Sequence, residues 1–153
     1  MLTAWRITPP QYADTAFSGI GAERYGGRFN SKGRRVVYTS GSFSLALLEL
    51  LVQAGDRHRI KHYLCRSVTF REQQVEVLQA ENLPAGWDAR PYVKASQEVG
   101  DAWLEEARSL VLQVPSVVVP HEYNYLINPL HPEYSGLVFS DAMPVPFDPR
   151  LSG

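Results

Sequence analysis

Four side chains in this sequence invite a chemical reading because of their type and the company they keep. Arg28 follows the glycine pair Gly26-Gly27 and is followed by Asn30, Ser31, Lys32 and Gly33. Glycines let a backbone bend and come close to a ligand, so this stretch reads as a loop suited to an anion. Tyr38 closes a short β-branched run, and Glu49 is the one polar residue between Leu45 and Val52. Burying an ionised carboxylate without a partner costs several kcal/mol. Glu49 therefore either pairs with a cation such as Arg28 or lines a cavity where a ligand hydroxyl meets it. Ser116 stands directly after Pro115, at a break in an apolar run. Each of the four also has an ordinary reading: a surface cation, a strand-edge aromatic, a solvent-facing helix acid and a turn residue.

The elements that must carry these residues follow from periodicity and punctuation. Leu2 to Ile7 alternates as a strand that Pro9-Pro10 closes. Gln11 to Gly27 has no sustained period and reads as an irregular excursion. Val36 to Thr39 is expected as a second strand, and a helix runs from about Ser42 to Ala54, ended by Gly55. Ile60 to Phe70 reads as a long strand and Val75 to Leu78 as a short one, with the basic run Arg57, His58, Arg59, Lys61 and His62 as a solvated entrance. Tyr92 to Arg108 is expected as a second helix with Val93, Val99, Trp103 and Leu104 turned inward. Leu110 to Val119 gives one or two strands. Pro120 to Tyr134, rich in proline and aromatics, is expected to be neither a regular helix nor a central strand. Leu137 to Ser140 forms a last strand, and Phe147 packs the tail.

Composition narrows the setting. At 153 residues the chain is expected to be one domain, without internal repeats. Cys65 is the only cysteine, which fits a reduced, cytoplasmic setting, and neither a signal peptide nor a membrane span is legible. A net charge of −1 argues against a general nucleic-acid coat. The four histidines, at 58, 62, 121 and 131, lack the partners of a zinc site. No Gly-x-Ser-x-Gly elbow is present, and the glycine loop lacks the Gly-Lys-Ser/Thr ending of a phosphate loop.

Three stretches together carry a family resemblance: GGRFNSKGRRVVYTSGSFSLALLEL, LPAGW, and VGDAWLEEARSLVLQVPSVVVPHEYNYLINPLHPEY. They resemble the RES-domain family, the toxin half of bacterial toxin–antitoxin pairs whose antitoxin is an Xre-type helix-turn-helix protein. The family is named for an arginine, a glutamate and a serine, matched here by Arg28, Glu49 and Ser116, with Tyr38 as the accompanying aromatic. The resemblance implies an α+β, ADP-ribosyltransferase-like fold, a split, twisted and mostly antiparallel β core with flanking helices. It also implies action on NAD+ as substrate, without a metal or further cofactor, by transfer to water, phosphate or a protein acceptor. An antitoxin partner and a homodimer are implied in the same way; membrane and direct DNA contact are not.

The implied chemistry suits the residue types. Breaking the nicotinamide–ribose bond expels a neutral leaving group and develops a cationic sugar, so the site must stabilise positive charge and orient the ribose. Glu49 is then expected to bond a ribose hydroxyl and face the cation, and Arg28 to hold the diphosphate or ribose. Tyr38 would stack on the nicotinamide, and Ser116 would bond ribose or position Glu49. Arg24, Asn30, Ser31 and Lys32 are secondary candidates for the phosphates, with His121, Glu122 and Asn124 at the rim. Two other readings stand beside this one. The arginines around residues 24–35 could track a nucleic-acid backbone, or the pocket could hold a nucleotide without turnover.

Overall fold

The computed structural model describes residues 1–153. Its framework is one mixed sheet in the order β4-β5-β6-β2-β1-β3-β7, with β8 paired to β3. The strands are β1 (Leu2–Thr8), β2 (Val37–Ser40), β3 (Leu64–Phe70), β4 (Val75–Val77), β5 (Val111–Pro115), β6 (Tyr123–Ile127), β7 (Val138–Phe139) and β8 (Met143–Pro144). Every pairing is antiparallel except β4 with β5. Three α-helices flank it: α1 (Ile20–Tyr25), α2 (Phe43–Gln53) and α3 (Lys94–Glu106).

The sheet is split in the middle. β1 and β3 share seven register pairs, whereas β1 and β2 share the single pair Trp5↔Ser40. Two half-sheets therefore diverge from one point of contact, the split, twisted and mostly antiparallel α+β core that the family resemblance implies. Arg6 occupies the divergence. Its Nη1 donates to the Tyr38 carbonyl at 2.9 Å, supplying a bond that β1 no longer makes. Burial holds this guanidinium below its ordinary pKa, and its Nε has no partner.

The helices form where the pattern calls for them. Ser42 caps α2, its hydroxyl accepting the Leu45 N–H at 3.0 Å. α2 buries Leu45, Ala46 and Leu51, and Phe43 meets Trp5 of β1 edge-on at 5.8 Å. Beneath α3, Trp103 is fully buried with Phe29, Val36, Leu112 and Leu126. A separate cluster of Ala4, Phe17, Val37, Val68, Phe70 and Ile127 joins the two half-sheets.

Three expectations need correction. Tyr123–Ile127, inside the segment read as unable to form a central strand, is β6, flanked by β5 and β2. Pro120 and Pro129 lie outside it, so every strand residue keeps its N–H for the ladder. Ile60 to His62, expected as the start of the long strand, belong instead to a 3₁₀ turn over Arg57–His62, opened by Asp56, whose carboxylate accepts the His58 N–H at 3.0 Å. The excursion after β1 contains α1, a short helix between Gly19 and Gly26, both at positive φ.

Candidate active site

The loop that carries Arg28 is held from three sides. Gly26 sits at φ +73°, where other residues are strained, and a Cβ on Gly27 would stand 2.7 Å from the Tyr38 hydroxyl oxygen. Gly27 and Asn30 close the turn through a 2.9 Å bond from the Gly27 N–H to the Asn30 carbonyl. Asn30 is fully buried, and its amide donates to the carbonyls of Ala22, Ser31 and Arg34 at 2.8, 3.2 and 3.1 Å. Tyr38 reaches up from β2, donating to Asn30 Oδ1 at 2.6 Å and accepting the Phe29 N–H at 3.1 Å.

From the far side α3 grips the same loop. Gln97 Nε2 donates to the carbonyls of Gly27 and Asn30, both at 3.1 Å. One turn on, Gly100 lies against the Phe29 carbonyl, and Asp101 accepts both the N–H and the hydroxyl of Ser31 at 3.0 and 2.6 Å. Positions 97, 100 and 101 share a helix face. The fold thus uses a glutamine, a glycine and an aspartate to fix the backbone on either side of Arg28.

Arg28 itself projects toward the segment after Leu83. Its Nη1 donates to the carbonyls of Trp87 and Ala89 at 2.7 and 2.8 Å. Burial, and next the charge of Arg90, hold the guanidinium below its ordinary pKa, while Glu49, Asp88 and Tyr38 pull it up. The arginine and the glutamate thus lie within range of each other's field without forming an ion pair, since no carboxylate comes within 4 Å of Arg28.

Glu49 is half-buried on α2 and finds a different partner. Ser116, buried at the end of β5, donates its hydroxyl to Glu49 Oε1 at 2.8 Å. The Ser116 hydroxyl oxygen in turn accepts the N–H groups of Val118 and Val119 at 3.1 and 3.0 Å. With two donors aimed at the oxygen, the hydroxyl proton is directed at the carboxylate. Arg90 closes the ring by donating Nη2 to the Val117 carbonyl at 3.1 Å.

Of the residues singled out in the sequence, Arg28, Glu49 and Ser116 converge here, with Tyr38 bracing the loop. Asn30 and Ser31 are engaged in the protein's own bonds, while Arg24 and Lys32 are exposed. Glu122, just before β6, accepts from the α2 cap Ser42, Asn124 of β6 accepts from Ser40 at the end of β2, and His121 is exposed. Arg90, Gln97, Gly100 and Asp101 were not singled out; the recurrence of Gln97, Gly100 and Asp101 at helical spacing is the signal that marks the last three. A surface hollow of about 470 Å³ lined by Met1, Phe70, Arg71 and Glu133 contains none of these residues.

Burial pushes the Tyr38 phenol above its ordinary range, so it remains a donor at all working pH values. Tyr38→Phe strands the Phe29 N–H and the side-chain oxygen Oδ1 of Asn30 in a closed site. Urea denaturation should show a loss of about 1–3 kcal/mol.

A Photorhabdus laumondii protein named Toxin Res is 38% identical over 130 residues, covering 85% of this chain and 83% of its own. A Sphingobium sp. protein named Prs ADP-ribosylating toxin is 38% identical over 152 residues, covering 96% of this chain and 94% of its own. Among solved structures, a chain of the M. tuberculosis MbcT–MbcA toxin–antitoxin complex superposes with a TM-score of 0.73 at 17% identity, covering 94% of this chain and 84% of that one. Residues 3–148 match the RES domain. On the breadth of that match and the identity to its full-length relatives, the chain belongs to the RES-domain family.

Proposed function

We propose that this protein is the toxin of a bacterial toxin–antitoxin pair and that it consumes NAD+ by breaking the bond between nicotinamide and ribose. The observation that carries the reading is the 2.8 Å bond from the Ser116 hydroxyl to Glu49, beside an arginine with no ionic partner of its own. The names of the relatives, one of them an ADP-ribosylating toxin, favour the same chemistry. A fold shared with a toxin–antitoxin complex favours an antitoxin partner, which we expect to be of the Xre helix-turn-helix type.

In this reading the carbon–nitrogen bond breaks with its electron pair leaving on neutral nicotinamide, and positive charge spreads over the ribose ring. Glu49 accepts a ribose hydroxyl and faces that charge, while Ser116 holds the carboxylate in one rotamer. Arg28 anchors the diphosphate. The Tyr38 hydroxyl is committed to the loop, which leaves its ring for contact with the nicotinamide. Water, phosphate or a protein side chain then adds to the ribose carbon.

The test is chromatographic. Purified protein incubated with NAD+ should release free nicotinamide, and the mass of the second product identifies the acceptor. Intact NAD+ after prolonged incubation, with RNA decaying instead on expression, would refute the proposal. Ser116→Ala should lower the rate by about ten- to a hundredfold, because the carboxylate loses its orienting donor. Steady-state assays at saturating NAD+ measure this.

A further inference from the structure

We propose that Arg90 joins Arg28 to form a subsite for a phosphate-class anion beside the Glu49–Ser116 pair, and that its occupant is the diphosphate of NAD+. The identity of the occupant rests on the function proposed above; the existence of the subsite does not.

Both guanidiniums are tethered through a single nitrogen. Arg28 uses Nη1 on the carbonyls of Trp87 and Ala89, and Arg90, the next residue, uses Nη2 on the carbonyl of Val117. The other donors, Nε and Nη2 of Arg28 and Nε and Nη1 of Arg90, bond to nothing in the protein. Neither arginine takes part in any of the nine ion pairs, although Asp88 lies two residues from Arg90 and Glu49 acts on Arg28 through its field.

Two like charges set close together without an ion-pair partner repel each other, and after burial that repulsion is the next cause of the lowered pKa of Arg28, opposed by the fields of Glu49 and Asp88. A dianion offering several oxygens removes the repulsion and meets the free donors in forked geometry. Placement favours the same ligand. Val117, which holds Arg90, follows Ser116, which holds Glu49, so an anion on the two arginines lies next to the carboxylate. NAD+ carries its diphosphate close to the ribose that the carboxylate would act on.

Steady-state kinetics on the full chain test the inference. Arg90→Ala should raise KM for NAD+ by about tenfold or more with a much smaller change in kcat, and weaken inhibition by inorganic pyrophosphate by a similar factor. Arg90 is exposed, so thermal unfolding should match the parent protein. Loss of stimulation by added orthophosphate, at unchanged KM for NAD+, would retain the subsite but assign it to free phosphate. Unchanged KM, unchanged pyrophosphate inhibition and unchanged phosphate response together overturn it. Should the parent protein release no nicotinamide, the function proposed above fails by itself. Calorimetric titration of pyrophosphate into parent and Arg90→Ala proteins still decides the subsite, equal affinities or no binding by the parent counting against it.

Discussion

Glu49→Gln is expected to lower nicotinamide release by roughly two to three orders of magnitude, about 3–4 kcal/mol in the activation barrier, with the fold intact. Glutamine has the same shape as glutamate and still offers an oxygen to the Ser116 hydroxyl, so packing and the hydrogen bond survive. Only the charge is lost. If Glu49 served solely to tie α2 to the end of β5, this replacement would be nearly silent in the assay. Its size of effect therefore separates a chemical role from a structural one. Glu49→Asp complements it by keeping the charge while drawing the carboxylate back by one methylene from Ser116, and it should retain part of the rate. Assay of both variants alongside circular dichroism is sufficient.

Gly100→Ala is the second large effect, and it acts on the fold. An added Cβ would overlap the Phe29 carbonyl oxygen and stand 2.6 Å from its carbonyl carbon. The obstruction is backbone, so no side-chain rotation relieves it. The ordinary result of Gly→Ala in a helix is a gain of up to about 1 kcal/mol. Here overpacking should reverse the sign and cost about 3 kcal/mol or more, lowering the thermal midpoint by roughly 6–12 °C. The loop bearing Arg28 would also be displaced from α3, so activity at a temperature where the variant is folded should fall as well. Gly21→Ala is the control. Nothing lies within 4 Å of a Cβ at Gly21 in α1, and that substitution should be neutral or stabilising.

Much of the architecture was legible because its signals are local. β1, β2, α2 and α3 announce themselves through alternation, helical periodicity and the Ser42 cap, and all four lie within two residues of where the pattern puts them. β6 was hidden because the prolines at 120 and 129 bracket a strand they do not enter. The parallel pairing of β4 with β5 was also out of reach, since a three-residue strand carries no mark of its partner. The cost of burying a carboxylate marked Glu49 as needing a partner and offered Arg28, but the partner it finds is Ser116; that all three belong to one site was anticipated from the family motifs, because the residues are far apart in the chain. What no local pattern supplied is the support around them. Gln97, Gly100 and Asp101 acquire meaning only when α3 is laid against the 26–31 loop, and Arg90 only when Arg28 reaches the carbonyls just before it.

The site also explains why an apolar helix carries one acid. Most of α2 is committed to packing, yet Glu49 meets a hydroxyl that two backbone N–H groups hold in a single orientation. Such an arrangement keeps a carboxylate in place before any ligand arrives, which is the condition for stabilising charge that develops only during reaction.

A crystal structure of the Glu49→Gln protein soaked with NAD+ puts the central claim to its most direct trial. The nicotinamide ribose should lie with a hydroxyl within about 3 Å of the residue 49 side chain, and the diphosphate should rest on the guanidinium of Arg28. A dinucleotide bound elsewhere, or bound with its ribose turned away from α2, would contradict the account.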